Sequence, residues 1–201
     1  MPAAPRFQRA RFGLRSNTQV FVSPLNGSVQ TVELPGARWF ANYQLPPLAE
    51  SEANLHLWKS FLVSLRGPAG RFYGFDPAHL TPRGAATGTP LVNGASQTGT
   101  APATDGWTIN ITGILKDGDL IAFDTSAGRE LHMQKGDVNS NASGQATLTL
   151  EPPIRTAPAD NATIVVASPS CVMMLAQPDV EWEIDEALFH GLSFDAVEAI
   201  I

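Results

Sequence analysis

Cysteine is nearly absent from this chain: Cys171 is the one thiol in 201 residues, which excludes an intrachain disulfide framework. It sits in the apolar run Cys171-Val-Met-Met-Leu175, where a buried, inert thiol is expected. Charge is also scarce, at 16% of residues against the usual quarter, so much of the surface must be neutral and open to protein contacts. The net charge of −6 excludes an overall basic footprint for nucleic acid. No apolar run approaches the ~20 residues that span a bilayer, and the N-terminal arginines precede no hydrophobic signal core. A chain made soluble in a cytosol is the expectation.

Signatures of chemistry are missing too. His56, His79, His132 and His190 stand at no zinc-binding spacing with Cys, Asp or Glu. Asp117, Asp119 and Asp124 surround Gly118 without the intervals or terminal Glu of a calcium loop, and Lys116-Asp-Gly-Asp119 reads as a turn entering a strand. The glycines of Asn93-Gly-Ala-Ser-Gln-Thr-Gly99 miss the dinucleotide and phosphate-loop patterns; an ordered loop is expected there. No cofactor is predicted.

What the chain does have is β pattern. Residues 17–22 and 28–34 alternate around Pro24-Leu-Asn-Gly27, a hairpin signature. A strand follows over 37–45, with Trp39, Phe40 and Tyr43. Pro46-Pro47 breaks it, and residues 48–65 show the one helical stripe: Leu55, Trp58, Leu62 and Leu65. Gly67-Pro68 ends the helix, so its body is placed at 49–66. A short strand over 71–75 and a Gly/Ala/Thr/Pro linker over 81–89 lead to a β-rich middle. There, strands are expected over 107–111, 120–123, 130–134, 146–150 and 163–167, a spacing that suits a small barrel or sandwich. Beyond Ser168-Pro169 come strands over 172–175 and 180–184, then a tail whose start suits a short helix. Residues 196–201 fit strand or helix equally.

Two charged stretches stand out. Arg6, Arg9, Arg11 and Arg15 make a local basic run that suits an anionic partner or a solvated strand face. Asp179, Glu181, Glu183 and Asp185 alternate, so a strand would turn them all to one face. Arg6, Arg9 and Arg11 meeting Asp179, Glu181 and Glu183 across a subunit boundary is one way to satisfy both.

The order of several motifs resembles tailed-phage minor tail proteins of long flexible tails. These are Leu57-Trp-Lys-Ser-Phe-Leu-Val-Ser-Leu-Arg-Gly67, Gly70-Arg-Phe72, Asn93-Gly-Ala-Ser-Gln-Thr-Gly99, Gly113-Ile-Leu-Lys-Asp-Gly-Asp119, Pro152-Pro-Ile-Arg155 and Phe194-Asp-Ala-Val-Glu-Ala199. The resemblance implies a mainly β protein with one helix: a β-sandwich belt domain (residues 1–83 and 170–201) carrying an inserted small β-barrel, OB-like, over 84–169. It implies a structural virion protein of the tail tip, not an enzyme. Such a distal tail adaptor forms a ring, trimeric or hexameric, between the tail tube and the tip, made in the host cytoplasm. Its partners would be itself, the tail tube protein, and the tail-tip hub and tape-measure proteins, with no nucleic-acid sequence recognition and no membrane.

Two other classes compete. In a carbohydrate- or surface-binding module, Trp107 and Phe123 of the middle segment would be exposed stacking platforms facing the ligand. A cell-wall hydrolase would use paired Asp and Glu, but one strand face does not arrange carboxylates around a scissile bond.

Overall fold

The computed structural model describes residues 1–200; the last residue of the undecided 196–201 stretch, Ile201, lies outside them. The protein is mainly β with one α-helix and several antiparallel sheets. In chain order the first strands are β1 (Arg9–Arg15), β2 (Thr18–Val22), β3 (Val29–Glu33), β4 (Arg38–Gln44) and β5 (Leu48–Ala49). Helix α1 (Ala53–Ser64), a 3-10 turn (Gly67–Ala69) and β6 (Phe72–Gly74) follow. Next are β7 (Gly88–Val92), β8 (Ala103–Trp107), β9 (Leu120–Thr125), β10 (Gly128–Gln134), β11 (Ala146–Thr147), β12 (Leu150–Glu151) and β13 (Ile164–Val165). The last are β14 (Cys171–Leu175), β15 (Glu183–Ile184), β16 (Phe189–Gly191) and β17 (Ser193–Glu198). By its contacts the chain forms two compact units, Phe72–Val172 and Pro2–Arg71 with Met173–Ile200.

In the discontinuous unit, one sheet runs in the order β1-β4-β17-β14. Period-two alternation divides its faces. Trp39, Ala41 and Tyr43 of β4, Phe194 and Ala196 of β17, and Met173 and Leu175 of β14 are buried on the inner face. Helix α1 covers that face with Leu55, Trp58 and Leu62, the stripe expected from the sequence. Aromatic contacts join the layers: Trp58 lies 5.9 Å from Phe194, and Phe7 lies 4.5 Å from Tyr43 and 5.7 Å from Trp58. The Trp58 indole N–H donates to the Ala4 carbonyl at 2.9 Å, so the aromatic core keeps no unpaired donor there. The helix starts later than its pattern suggests. Leu48 and Ala49 pair with His190 and Phe189 instead, and the Glu52 carboxylate accepts the Ala49 N–H at 3.2 Å. Phe189–Gly191 is itself a strand, where a short helix was expected: a turn at Asp185–Leu188 reverses the chain into it.

In the continuous unit, one sheet runs β12-β10-β9-β13 and another β11-β8-β7. Val92, Trp107, Ile114, Leu115, Ile121, Phe123, Leu148, Leu150 and Ile154 form their shared core. The sheets do not close into the barrel that strand spacing suggested. Closure needs an unbroken ladder around the ring, and here β7 meets the β13 side only through the isolated Leu91–Thr163 bridge and the backbone bonds of Val92 with Asn161 and Ala162, not through a strand ladder. Residues 146–150, expected as one strand, divide between two sheets: Ala146–Thr147 pairs with β8 and Leu150–Glu151 with β10. The strand expected at 107–111 instead ends at Trp107. Asn110 takes a left-handed φ of 55°, outside the strand region, and the Trp107 N–H donates to the Gly144 carbonyl, where a Cβ on Gly144 would come within 2.4 Å of the Trp107 oxygen.

Buried polar side chains fix the turns in this unit. The buried Asp119 carboxylate accepts backbone N–H groups from Arg83 (2.8 Å), Gly84 (3.0 Å) and Lys116 (2.8 Å). Gln97 bonds Asn93, Gly94 and both backbone groups of Ala103, which holds the Asn93–Gly99 loop in one shape. Glu130 accepts the N–H groups of Arg155 and Thr156 and so anchors the Pro152–Arg155 segment. Each is a carboxylate or amide spent on backbone, not on solvent or ligand.

Candidate functional site

Two surfaces of the discontinuous unit carry features that folding alone leaves unexplained. The first is the hairpin β2–β3. Its register pairs Val20 with Thr31, Val22 with Val29, Gln19 with Val32 and Phe21 with Gln30. Paired residues share a face, so one face carries Val20, Val22 and Val29 and the other Phe21 and Val32. Every residue of both strands is exposed. Val20 stands 58%, Phe21 57% and Val22 61% exposed, and Leu25 at the tip 95%. The turn is well made: Gly27 takes φ 69° and donates to the Ser23 carbonyl, and the Asn26 side chain accepts the Ser28 N–H. A regular ribbon with no covered face is marginal in water, and exposed contiguous apolar surface marks a binding region. Burying each such side chain is worth about 1.5–3 kcal/mol.

The second surface is the outer face of the β1-β4-β17 sheet. Register places Arg9 beside Gln44, Arg11 beside Asn42, Gly13 beside Phe40 and Arg15 beside Arg38, with Asp195 beyond Asn42 and Val197 beyond Phe40. The half-buried Phe40 ring lies over Gly13, where a Cβ would come within 2.8 Å of it. The Arg11 and Arg15 guanidinium carbons sit 5.8 Å and 5.6 Å from the ring centroid, within cation–π range. A trough of about 870 Å³ opens here, lined by Arg11, Arg15, Arg38, Phe40, Asn42 and Asp195 among others. Asp195 accepts the Asn42 side-chain N–H at 2.9 Å and also borders a neighbouring hollow shared with Asp179 and Glu181. The face is therefore basic at the β1 edge and acidic at the other side.

Of the residues singled out in the sequence, Arg9 and Arg11 share this face. Arg6 is exposed ahead of β1 and does not line the trough. Asp179, Glu181 and Glu183 are all exposed, but only Glu183–Ile184 is a strand, so the single acidic face expected over 179–185 is not formed. Trp182 lies in the same stretch with the Lys59 ammonium 4.8 Å from its ring. Within the chain, and among the described residues, Arg9, Arg11, Arg15 and Arg38 form no ion pair. Trp107 and Phe123 do not face a ligand: they are 3% and 0% exposed in the core of the continuous unit, and the Trp107 N–H is bonded to Thr104 at 2.8 Å. The alternating run 107–111 is not a strand, and Leu120, Ile121, Ala122 and Phe123 are all buried, so neither run offers an exposed aromatic platform. Sequence reasoning passed over Arg38, Phe40 and Asp195, which become site residues only because register sets them opposite β1 or beside it.

Three further titratable side chains, His132, Asp124 and Arg129, are engaged within the fold. His132 is buried, and its Nδ1–H donates to the Pro152 carbonyl at 2.7 Å, so Nε2 carries no proton and has no hydrogen-bond partner. Burial pushes its pKa down to about 4, although the Pro152 bond and the Glu130 charge oppose that shift. Arg129 holds Asp124 below the usual carboxylate range through a two-pronged contact of 2.7 and 2.9 Å. No group of three or more His, Cys, Asp or Glu able to hold a metal occurs among the described residues, and no helix is long and apolar enough to cross a membrane. No known family's sequence model matches the chain, and no curated protein matches it either.

Proposed function

We propose that this chain is a structural subunit of a bacteriophage tail tip: a distal tail adaptor that assembles as a ring between tail tube and tip, with no catalytic role. The observation that carries the reading is the β2–β3 hairpin, a well-formed ribbon with apolar side chains exposed on both faces. A neighbouring subunit is the partner that every copy of a ring can supply, and a closed ring uses such unlike patches in a head-to-tail contact. The resemblance of the motif order to minor tail proteins supplies the virion context and the further partners of this reading, the tail tube, hub and tape-measure proteins. Trp107 and Phe123 lie in the core, which removes the two rings on which a glycan-binding reading depended.

Light scattering coupled to size-exclusion chromatography tests the reading. The wild-type chain is expected to run as a discrete trimer or hexamer of the 21.4 kDa subunit. A variant with Val20, Phe21 and Val22 changed to serine should run as a monomer with unchanged circular dichroism. A wild-type monomer at every soluble concentration, both alone and mixed with a tail tube protein, would overturn it.

A further inference from the structure

The two-signed sheet face points to where the next copy sits. Strand β1 is the outermost strand of its sheet, so its far edge has backbone groups without a ladder partner. It presents Arg9, Arg11 and Arg15, joined by Arg38 on β4. Stretch 179–186 has the opposite character: Asp179, Glu181, Glu183, Asp185 and Glu186 with no Lys or Arg between them. All five are exposed, and Trp182 and Ile184 between them are exposed as well. Strand β15 in this stretch is also the outermost strand of its sheet, β15-β16-β5. One unit thus carries a basic open edge and an acidic open edge, neither neutralised by the other within the chain.

Resting on the assembly reading above, we propose that the acidic stretch 179–186 of one copy docks against the β1 edge of the next, with Glu181 and Glu183 facing Arg11 and Arg15. Unlike charges carried on two separate strand edges, β1 and β15, can pair head to tail with the next copy, the kind of contact that closes a ring. Complementary charge also sets register and suppresses the reversed orientation, because like charges would then meet. The apolar residues Trp182 and Ile184 interleave with the carboxylates and supply area at the same edge. Phe40, seated over Gly13, holds Arg11 and Arg15 on the face through their contacts with its ring.

Charge exchange tests the contact directly. Arg11→Glu/Arg15→Glu sets acid against acid, and Glu181→Lys/Glu183→Lys sets base against base; each variant alone is expected to lose the wild-type oligomer and run at monomer mass. The chain carrying all four changes restores opposite signs and should recover the oligomer. All four positions are exposed, and circular dichroism checks that each variant is folded. Oligomers of wild-type mass from both two-site variants would overturn the contact while leaving the ring reading intact. Recovery failing in the folded four-site chain would overturn it as well. A wild-type chain that never associates would instead strike the assembly reading itself.

Discussion

Asp119 is a polar residue whose loss the fold of the continuous unit should feel sharply. It is 1% exposed, and its two oxygens accept three backbone N–H groups, from Arg83, Gly84 and Lys116, at 2.8–3.0 Å. These bonds tie the segment before β7 to the Lys116–Asp119 turn. Gly84 sits tightly in this arrangement: a Cβ there would come within 2.4 Å of the Ile114 carbonyl oxygen. Hydrogen bonds to a charged acceptor are worth about 1.5–3 kcal/mol each, and a buried donor left unpaired costs about 1–3 kcal/mol. Water reaches part of this turn, so the three losses do not sum in full. Asp119→Ala should then cost about 3–5 kcal/mol, against a total stability of about 5–15 kcal/mol for an ordinary domain. Asp119→Asn keeps one acceptor oxygen but turns an N–H towards backbone N–H groups, and should cost about 2 kcal/mol. Asp117 is the control: it lies in the same turn and accepts the Gly136 N–H at 2.7 Å, but it is exposed, so Asp117→Ala should cost about 0.5 kcal/mol. Urea denaturation gives the totals, and amide hydrogen exchange of residues 83–86 and 114–119 locates them. Equal costs for Asp117→Ala and Asp119→Ala, or a cost below about 1 kcal/mol for Asp119→Ala, would refute the reasoning.

Two further outcomes follow from buried groups. The His132 pKa falls from 6.5 to about 4 in the folded chain, so between those values the unfolded chain binds a proton that the folded one does not. This contribution, about 3 kcal/mol, is fully present above pH 6.5 and is lost as pH falls towards 4. His132→Asn, which can still donate to the Pro152 carbonyl, should flatten the acid limb of a stability–pH curve; parallel wild-type and variant limbs would contradict the assignment. Trp107→Ala should cost about 3–5 kcal/mol, because it empties a large core site and strips the Thr104 hydroxyl of its donor. A thermal melt reads this, and a Trp107→Ala chain as stable as wild type would place that ring outside the core.

The elements that sequence reading located are those whose signals are local. The β2–β3 hairpin and the β9–β10 hairpin each combine alternation with turn chemistry, and both form with bounds within a residue or two of expectation. The α1 stripe of Leu55, Trp58 and Leu62 is likewise a property of spacing alone. Errors arise where a distant partner decides. Leu48 and Ala49 carry helix pattern but pair with β16, 140 or so residues later in the chain. Residues 146–150 alternate as one strand and are shared between two sheets. The candidate site shows the same division. The arginines and carboxylates were visible as charge runs; Phe40, Arg38 and Asp195 were not, because cross-strand register is what sets them around Arg11 and Arg15.

Composition and periodicity by themselves determined a mainly β chain with one helix, no disulfide framework, and opposite charges near its two ends. Those properties depend on residue type and near-neighbour spacing, which the chain carries wherever it goes. Exposure was decided only in three dimensions. An alternating strand reads the same whether its apolar face is covered or bare, yet Trp107 and Phe123 are buried while Val20, Phe21 and Val22 are left in solvent. Whether the β-rich middle closes into a barrel was decided there too, because closure depends on the pairing of strands far apart in sequence, and their short ladders leave it open.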